Sequence, residues 1–499
     1  MEQDENKQKN NCNKFLDEFI PNTKTFCVLP WMHLATNTQG QYKLCCKAQL
    51  PIPSKIVDTM KIKGKEGLMG DYMSKFPKTH TEQFSAKKQV YMVERATESS
   101  IVDIWNNTYM KDVRKKMLTG EKIDSCIECY KEEEQQKTTS YRERKNIIEI
   151  IDEDRVELIK QRILNTSPDG SLQDLPYILD LKLDTRCNLA CAMCSPKESS
   201  GVEKFFRTQI KKQNAHKFYK NQIFQFNEVD AYNQEEKEWS DQPSFINGIE
   251  KLGPHLKQIY ATGGEPFLLN NLWKIYNNFI KKKYSKNISL EFCSNLTATT
   301  DEQLAIIKEF KTCTISASID GFGEAYNFTR WPSTWEKIDS KVKELSYNWV
   351  TPTHKLHYTC VYTILNILSI PQFCNWIKFY ADILIDKWGT EYPNAYALPQ
   401  ARLFQCNRPD FLNIEYLHQE AIDYLIGFLE DNFSNDLSVI EHLKINNEYK
   451  DIITMLKNVE RRKTWEWKKT FWNFIEMRQD YISLKIEDSI PKEFFKMIQ

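Results

Sequence analysis

Short apolar runs alternate with amphipathic stretches through the middle of the chain, between about residues 175 and 395. The amphipathic stretches, such as LWKIYNNFIKKK (272–283) and DEQLAIIKEF (301–310), repeat apolar residues at helical spacing. The apolar runs predict strands at YILDLKLD (177–184), LKQIYATG (256–263), ISLEFCSN (288–295), TCTISASID (312–320) and KLHYTCVYTIL (355–365). Because alternating strands and helices build a parallel sheet with helical crossovers, we predict an α/β fold, a partial (β/α)6 TIM-like barrel with its chemistry at the carboxyl ends of the strands.

The two ends of the chain follow other patterns. Residues 1–22 are polar and predict a disordered N-terminus, whereas 23–170 carry clustered cysteines and end in a predicted helix over 147–164. The barrel is assigned to 171–395, with a polar and aromatic insertion over 200–248. Residues 396–499 repeat apolar positions at helical spacing and predict a C-terminal helical region.

Composition narrows the function classes. The 499 residues include 68 Lys+Arg and 68 Asp+Glu, and a net charge of zero argues against a protein that binds nucleic acid by bulk charge. The N-terminus lacks the basic-then-apolar order of a signal peptide, and the longest uncharged run (358–377) contains polar residues and a proline, which argues against a membrane span. We therefore expect a cytoplasmic protein without a membrane partner, in which the 14 cysteines stay reduced and serve metal binding or catalysis.

Three cysteines follow the first predicted strand in LDTRCNLACAMCSP, with the spacing C-x3-C-x2-C. Three thiolates from one short loop can hold three irons of a cubane cluster and leave the fourth iron open to a small molecule. The alternative is a structural zinc site, which prefers four closed ligands, and no fourth Cys or His stands close by in the sequence. Cys187, Cys191 and Cys194 are therefore the predicted ligands of a 4Fe–4S cluster.

This arrangement resembles the radical S-adenosylmethionine (SAM) enzyme superfamily, over about residues 175–370. A further match is ATGGEPFL after the second strand, which resembles the GGEP motif of that superfamily. The resemblance implies that this loop receives the SAM amino group, because glycines allow close backbone approach and carbonyls or a carboxylate accept hydrogen bonds from an ammonium. The residues implied are Gly263, Gly264, Glu265 and Pro266.

The resemblance implies further SAM contacts at later strand ends. Asn295 ends the third predicted strand at a polar position of the superfamily, and Ser318 and Asp320 end the fourth, where related enzymes touch the ribose. Arg330 resembles an arginine that pairs with the SAM carboxylate. The superfamily usually has an aromatic residue before the third cysteine, where this chain has Met193, whose thioether can pack on adenine.

Four further cysteines form two pairs in the N-terminal segment. Cys27 and Cys45 flank Gly40 in the order C-x12-G-x4-C, and Cys126 precedes Cys129 by three positions. Two pairs can ligate all four irons of a cubane or one tetrahedral zinc ion. Unligated core cysteines are the third alternative.

The C-x12-G-x4-C element resembles the start of the SPASM and twitch auxiliary-cluster domains, with Gly40 in a hairpin turn, and Ser140-x-Arg142 resembles twitch members as well. These domains usually follow the barrel, so the resemblance implies a permuted, N-terminal auxiliary domain with a second 4Fe–4S cluster. Adjacent residues rarely point at the same site, so only one of Cys45 and Cys46 is expected to be a ligand, and the spacing favours Cys45.

Three other cysteines, Cys293, Cys313 and Cys360, lie in predicted strands. Cys360 either points into the barrel as a hydrogen-atom donor or packs as a small apolar residue, and the second interpretation is the commoner one for a buried thiol. Cys293 and Cys313 are interpreted as structural or incidental.

The resemblance implies a radical SAM enzyme that reductively cleaves SAM, with an electron from an external donor, to a 5′-deoxyadenosyl radical that abstracts a hydrogen atom from the substrate. Auxiliary-cluster relatives often modify peptides, so a peptide is the first expectation for the substrate and a nucleotide- or sugar-derived small molecule the second. From a different class, the chain would be a non-catalytic zinc protein whose barrel only binds ligands. The sequence names no general acid or base.

Overall fold

The structure, a computed structural model, describes residues 12, 14–20, 22–49, 96, 99–134, 140–151, 153–212, 239–388, 400–432, 445–459 and 467–499. Most of residues 1–13 lie outside the described residues, so the predicted disorder of 1–22 stays a prediction. The chain divides into two compact units: an N-terminal unit, residues 1–181 with 239–257, and a barrel unit, residues 182–238 with 258–499. Among the described residues, none of the helices is both long and apolar enough to cross a membrane.

The described strands are β1 (His33–Thr36), β2 (Tyr42–Lys43), β3 (Ile178–Lys182), β4 (Gln258–Thr262), β5 (Ser289–Ser294), β6 (Thr312–Ser318), β7 (His354–Tyr362) and β8 (Ala401–Gln405). The described α-helices are α1 (Ile101–Trp105), α2 (Thr108–Thr119), α3 (Ile127–Glu134), α4 (Tyr141–Ile151), α5 (Glu153–Leu164), α6 (Ser200–Lys211), α7 (Pro243–Leu252), α8 (Asn270–Lys281), α9 (Asp301–Lys308), α10 (Glu324–Thr329), α11 (Trp335–Asn348), α12 (Ile370–Trp388), α13 (Gln419–Asp431), α14 (Ile445–Lys457), α15 (Trp467–Ile482) and α16 (Lys492–Ile498).

A short hairpin organises the sheet of the N-terminal unit. β1 pairs antiparallel with β2 and parallel with β3. Between the hairpin strands, Gly40 has a φ of +72°, a conformation that an L side chain adopts only at a cost. A Cβ at this position would also lie 2.7 Å from the ring of Trp239, whose indole N–H donates to the Thr38 carbonyl at 3.0 Å. The predicted hairpin turn at Gly40 is confirmed.

Five parallel strands form the sheet of the barrel unit, in the order β4-β5-β6-β7-β8. One face of this sheet is covered by helices: Phe292 of β5 contacts Trp273 and Tyr276 of α8, and Tyr358 of β7 contacts Trp376 of α12. Residues between these positions point to the opposite face and are half-buried in β5, β6 and β7. That second face, with the loops at the carboxyl ends of the strands, positions the candidate site.

The five predicted strands correspond to β3, β4, β5, β6 and β7, each within about three residues of its expected ends. A further strand, β8, lies beyond the predicted barrel boundary at residue 395 and pairs with β7 over Tyr358–Tyr362. The domain boundaries stay predictions. The helix predicted over 147–164 is divided between α4 and α5. The insertion over 200–248 contains α6 and the start of α7, and residues 213–238 lie outside the described part of the chain.

Candidate functional site

The C-x3-C-x2-C loop forms hydrogen bonds with the helix that follows it, α6, and with the end of α10 and the residues directly after it. The Cys187 N–H donates to the Ser200 hydroxyl at 3.0 Å, just inside α6. The Ala190 and Ala192 N–H groups donate to the carbonyls of Trp331 and Thr329, both at 2.8 Å. Because both ends of the loop are tied to ordered backbone, its three cysteines occupy fixed positions.

The three thiols lie near one another in a partly buried site. Burial, and then the neighbouring Cys191, raise the pKa of Cys187 to about 11. Burial also raises the pKa of Cys194, and both Cys191 and Cys187 raise it further. The groups are thiols at neutral pH, so a metal that binds them must displace their protons.

Arg478 of α15 is a buried cation at the back of this loop. It donates to the Ala190 carbonyl at 2.9 Å and to the Phe328 and Thr329 carbonyls at 2.6 and 3.2 Å. Burial lowers the pKa of Arg478 to about 10, which still leaves the guanidinium protonated at neutral pH. The helix that carries Arg478 thereby braces the cysteine loop, a role that sequence analysis missed because the arginine lies at the end of an otherwise aromatic and basic helix.

Gly263 and Gly264 follow β4 with φ values of +83° and +54°. A Cβ on Gly264 would lie 2.3 Å from the carbonyl oxygen of Arg186, in the residue before Cys187. The Glu265 N–H donates to that same carbonyl at 2.8 Å. The two glycines therefore let the β4 loop lie directly against the backbone of the cysteine loop.

The Glu265 carboxylate is bound within the protein. It is 1 % exposed and accepts hydrogen bonds from the Ser294 hydroxyl and the Asn295 N–H, both at 2.7 Å, and from the Phe267 N–H at 3.3 Å. The carboxylate therefore fixes the end of β5. The ammonium contact implied for this loop stays a prediction. Pro266 is buried and begins a 3-10 helix over Pro266–Leu268.

Asn295 lies between the β5 end and the cysteine loop. Its side-chain amide donates to Asn188 at 3.0 Å and lies 3.8 Å from the Cys187 sulfur. Asn295, at the strand-end position that the superfamily resemblance implies, therefore lies next to the predicted cluster ligand Cys187.

Arg330 lies beside Cys191 and pairs with Asp320. The Arg330 Nε lies 2.5 Å from one Asp320 oxygen, and the other oxygen accepts from the Val361 N–H at 2.7 Å. Burial lowers the pKa of Arg330, but the charges of Asp320, Cys191 and Tyr326 and the hydrogen bond to Asp320 together raise the pKa well above its ordinary value. Asp320 is fully buried and its carboxylate orients Arg330. The ribose contact expected of it stays a prediction.

Ser318, at the end of β6, is half-buried on the sheet face opposite the one that α8 and α12 contact. Its hydroxyl lies 3.2 Å from the Cys293 sulfur on the neighbouring strand. Sequence analysis interpreted Cys293 as structural or incidental. Successive residues of a strand point to opposite faces, and Phe292 faces the helices, so the alternation in β5 could have placed Cys293 on this face. Met193, before the third cysteine, is half-buried.

Cys360 lies on the opposite face. In β7 it follows Leu356 and Tyr358 at period two, and Tyr358 contacts Trp376 of α12. The structure therefore places Cys360 on the helix-covered side as a buried apolar residue, away from the barrel interior.

The four cysteines predicted in the N-terminal unit line one small cavity. Cys27, Cys45, Cys126 and Cys129 surround a volume of about 20 Å³. Burial raises the pKa of Cys126, and Cys27, Cys45 and Cys129 raise it further, in that order. Cys45 is 8 % exposed and lines the cavity, whereas its neighbour Cys46 is exposed.

Arg142 holds the segments that carry these cysteines. It pairs with Glu133 of α3 at 2.9 and 2.7 Å and donates to the Phe26 carbonyl at 2.5 Å, next to Cys27. The Ser140 hydroxyl donates to the same Glu133 carboxylate at 2.6 Å. Sequence analysis did not identify the role of Glu133, because Glu133 lies in a run of three glutamates that is typical of a solvent-exposed helix face.

Both cysteine sets supply the ligands that an iron–sulfur cluster takes. Three thiols in one loop and four thiols around one cavity match the ligand numbers of a SAM-binding and a fully ligated cubane. A cubane binds its ligands at separate corners, in contrast to the single centre of a zinc site. In the described residues, no group of three or more His, Cys, Asp or Glu side chains is arranged to hold a single metal ion.

Comparisons with known proteins give a family match over part of the chain. Residues 182–352 match the model of the radical SAM superfamily. No curated protein matches the chain.

Solved structures also match the chain, at low identity and low TM-score. The structure of native anSMEcpe with bound AdoMet is 17% identical with a TM-score of 0.29, over 51% of this chain and 58% of that chain. Streptococcus suis SuiB bound to S-adenosylmethionine is 13% identical with a TM-score of 0.30, over 61% of this chain and 57% of that chain. This chain therefore spans less than two thirds of the length of either protein.

The family match begins five residues before Cys187, contains the GGEP loop, Asn295, Asp320 and Arg330, and ends before β7. Such domains use a 4Fe–4S cluster and SAM. The chain carries a radical SAM domain over residues 182–352.

Proposed function

We propose that the barrel unit is a radical SAM enzyme that binds a 4Fe–4S cluster through Cys187, Cys191 and Cys194, and SAM at the carboxyl edge of its sheet. The observation that carries this proposal is the packing of Gly264, Asn295 and Arg330 against the cysteine loop. When bound, the cluster and SAM supply reductive cleavage to a 5′-deoxyadenosyl radical, which abstracts a hydrogen atom from the substrate.

The chain's own residues bind and orient in this proposal. Arg330, oriented by Asp320, offers a guanidinium to the SAM carboxylate, and its charge next to Cys191 lowers the pKa of that thiol against the rise caused by burial. The Gly263–Gly264 backbone receives the SAM amino group, in a loop that the Glu265 carboxylate fixes to the end of β5. Ser318 contacts the ribose and Met193 the adenine. The buried surroundings limit access of water.

We propose that Cys27, Cys45, Cys126 and Cys129 hold a second 4Fe–4S cluster in a twitch- or SPASM-like N-terminal domain. The shared cavity supports this ligand set, and the exposure of Cys46 supports Cys45 as the ligand of the two. The Arg142–Glu133 pair holds Ser140, α3 and the segment before Cys27 together.

We propose a peptide substrate, on the resemblance of this N-terminal segment to auxiliary-cluster domains, and an external electron donor. A cytoplasmic location fits a chain whose predicted clusters need reduced cysteines.

The test is the iron, sulfide and zinc content of anaerobically purified protein, with 5′-deoxyadenosine measured after reduction in the presence of SAM. We expect about eight irons per chain, falling to about four when Cys187, Cys191 and Cys194 are all changed to Ala. The matched control changes the buried Cys313, Cys374 and Cys406, which lie outside both sites, to Ala.

The triple variant at the predicted ligands is expected to form no 5′-deoxyadenosine, and the control variant to form it as the wild type does. Zinc without iron after reconstitution, or equal SAM cleavage in the wild type and the ligand variant, contradicts the proposal. Four irons with one zinc would retain the radical SAM site and assign the N-terminal site to zinc.

A further inference from the structure

We propose that the Asn295 side chain donates a hydrogen bond to the sulfur of Cys187 and thereby raises the reduction potential of the 4Fe–4S cluster that Cys187 would hold. Asn295 is a positioning residue in this role, because it acts through a cluster ligand and touches neither SAM nor the substrate. The inference rests on the proposed function, since it concerns the same cluster.

The chain bends sharply at the end of β5, directly after Asn295. Leu296 has a φ of +63°, a left-handed conformation that costs an L residue about 1–2 kcal/mol. The Leu296 N–H donates to the Ser294 hydroxyl at 2.9 Å, which holds the bend. Strain of this kind persists where surrounding contacts maintain it, and it clusters at functional sites. The bend brings Thr297 against the side chain of Asn295.

Thr297 determines which atom of the Asn295 amide faces Cys187. The Thr297 N–H can only donate, and it lies 2.9 Å from Asn295 Oδ1. The Thr297 hydroxyl donates to the same oxygen at 2.7 Å. The amide oxygen therefore faces Thr297, and the amide NH₂ group faces the cysteine loop.

Asn188, the residue after Cys187, closes a ring of hydrogen bonds. Its side-chain NH₂ group donates to the Thr297 hydroxyl at 2.8 Å, and its side-chain oxygen accepts from Asn295 Nδ2 at 3.0 Å. Each of the three side chains thus donates to the next in one direction around the ring. One hydrogen of the Asn295 NH₂ group is used in this ring, and the other is available to Cys187 Sγ, which lies 3.8 Å from Nδ2.

These contacts use every polar atom of the Asn295 side chain. The oxygen accepts two hydrogen bonds from Thr297, both hydrogens of the NH₂ group have acceptors, and the residue is 5 % exposed. The SAM ammonium would have to compete with Thr297 for the oxygen. The SAM carboxylate would have to compete with Asn188 and Cys187 for the hydrogens. The side chain is therefore better suited to act on the Cys187 sulfur than on SAM.

A hydrogen-bond donor at a ligand sulfur favours the reduced form of a cluster. Reduction by one electron adds negative charge to the irons and their sulfur ligands, and an N–H group stabilises that charge. Hydrogen bonds to the sulfurs are among the factors that set the reduction potential of an iron–sulfur cluster. The interaction is stronger in the partly buried surroundings of Cys187 than it would be in water. The electron comes from the external donor, and Asn295 itself is neither oxidised nor reduced.

The buried Glu265 carboxylate acts in the opposite direction at the same strand end. It accepts from the Asn295 N–H at 2.7 Å, and a negative charge near a cluster disfavours the addition of an electron. The contact with Glu265 uses the backbone of Asn295, whereas the contact with Cys187 uses the side chain. A substitution at position 295 therefore removes the donor to the sulfur and retains the hydrogen bond to the acid.

The experiment measures the reduction potential of the barrel cluster in anaerobic, cluster-loaded protein without SAM, by a redox titration followed by electron paramagnetic resonance. The barrel signal is the one that is lost when Cys187, Cys191 and Cys194 are all changed to Ala. Asn295→Leu keeps the approximate size of the side chain and removes the donor. It is expected to lower the equilibrium constant for reduction about tenfold, which is about 59 mV for one electron. The potential of the N-terminal cluster is the internal reference and is expected to stay unchanged.

Two control variants separate the donor from general damage to the structure. Thr297→Val removes the hydroxyl but retains the Thr297 N–H that orients Asn295, and it is expected to change the equilibrium constant for reduction by less than about twofold. Asn413→Leu makes the same substitution at a buried asparagine whose side-chain oxygen accepts from Gln405 and from the Glu415 N–H at 2.9 and 2.8 Å. It is expected to leave the potential unchanged. Thermal unfolding of each variant verifies its fold.

A second measurement uses the wild-type protein and depends on no variant. The protein is labelled with ¹⁵N only at the side-chain amide of its asparagines, reduced, and studied by pulsed electron paramagnetic resonance. We expect a ¹⁵N coupling to the barrel cluster, because Asn295 Nδ2 lies 3.8 Å from Cys187 Sγ. The coupling is expected to be absent from Asn295→Leu. If that variant binds no cluster, the coupling in the wild type decides.

Absence of the ¹⁵N coupling from the wild type, or equal potentials of the wild type and Asn295→Leu, overturns the inference. Equal shifts in Asn295→Leu and either control variant overturn it as well. Weaker SAM binding by Asn295→Leu at an unchanged potential would assign the side chain to SAM. A wild-type barrel site without iron would refute the proposed function and this inference with it, whereas a cluster that cleaves SAM but ignores the substitution would refute this inference alone.

Discussion

Gly264 has a φ of +54°, and a Cβ at this position would lie 2.3 Å from the Arg186 carbonyl oxygen. Gly264→Ala is therefore expected to displace the β4 loop from the cysteine loop, because neither backbone can shift without breaking its hydrogen bonds. Strain of a left-handed residue alone costs about 1–2 kcal/mol, and the contact adds to it. The measurements are the unfolding midpoint in urea and the iron content of the barrel site, both expected to fall.

The control for this prediction is the same substitution at Gly427, inside α13, where a Cβ meets nothing within 4 Å. Gly427→Ala is expected to stabilise the helix by about 0.5–1 kcal/mol and to leave iron unchanged. A Gly264→Ala protein with wild-type iron and stability would contradict the close approach of the two loops.

Cys45 and Cys46 give a second prediction at the scale of residues. Cys45 lines the four-cysteine cavity and Cys46 is exposed, so Cys45→Ala is expected to lose the N-terminal iron and Cys46→Ala to retain it. Iron per chain, measured after identical anaerobic reconstitution, distinguishes the two variants. If only Cys46→Ala lost iron, Cys46 and not Cys45 would be the ligand.

Residue types and spacings were sufficient to predict both cysteine sets, because ligands in one loop or in two pairs are local in sequence. Side chains that act from elsewhere were not predictable in this way. Cys293 depends on which face of β5 it occupies, and Glu133 depends on its pairing with Arg142 nine residues later. Contacts between segments determine these roles, and a single sequence does not contain them.

At the scale of elements, α15 contributes Arg478 to the cysteine loop. Arg478→Met is expected to destabilise the barrel unit by about 3–5 kcal/mol, because the carbonyls of Ala190, Phe328 and Thr329 lose their buried charged donor. The unfolding midpoint and the iron content report this loss. Lys286→Met, at the exposed ion pair with Glu309 in the same unit, is the matched control and is expected to change stability by less than about 0.5 kcal/mol. Equal midpoints for the two variants would show that the Arg478 contacts contribute little.

Element prediction succeeded where the hydrophobic pattern was long and failed where it was short. The central strands β5, β6 and β7 have six to nine residues and clear periodicity. β1 has four residues that are all buried, and β8 has five residues on one edge of the barrel sheet, where alternate side chains are exposed. Such short runs resemble loops or helix segments in sequence, so only pairing with a neighbouring strand identifies them.

At the scale of the whole molecule, each compact unit contains one cysteine set. Changing Cys126 and Cys129 together to Ser is expected to remove about four irons and to destabilise the N-terminal unit, because ligation contributes free energy to folding. The reduced protein is expected to keep an electron paramagnetic resonance signal that changes on addition of SAM. The barrel triple variant, Cys187, Cys191 and Cys194 to Ala, is the control and is expected to lose that response. Loss of the SAM response in the N-terminal variant would show that the two sites depend on each other.

The Arg478 contact has a consequence for the order of events during protein synthesis. Arg478 follows Ala190 by 288 positions, so the ribosome makes the cysteine loop long before it makes the guanidinium that braces it. At about 5–20 residues per second, the interval is roughly 15–60 s. Throughout that time the nascent loop lacks its buried donor, and β4 to β8 are added one after another during the interval. The barrel site therefore takes its final form only after translation has passed α15, and insertion of a cluster into the finished site is a post-translational step.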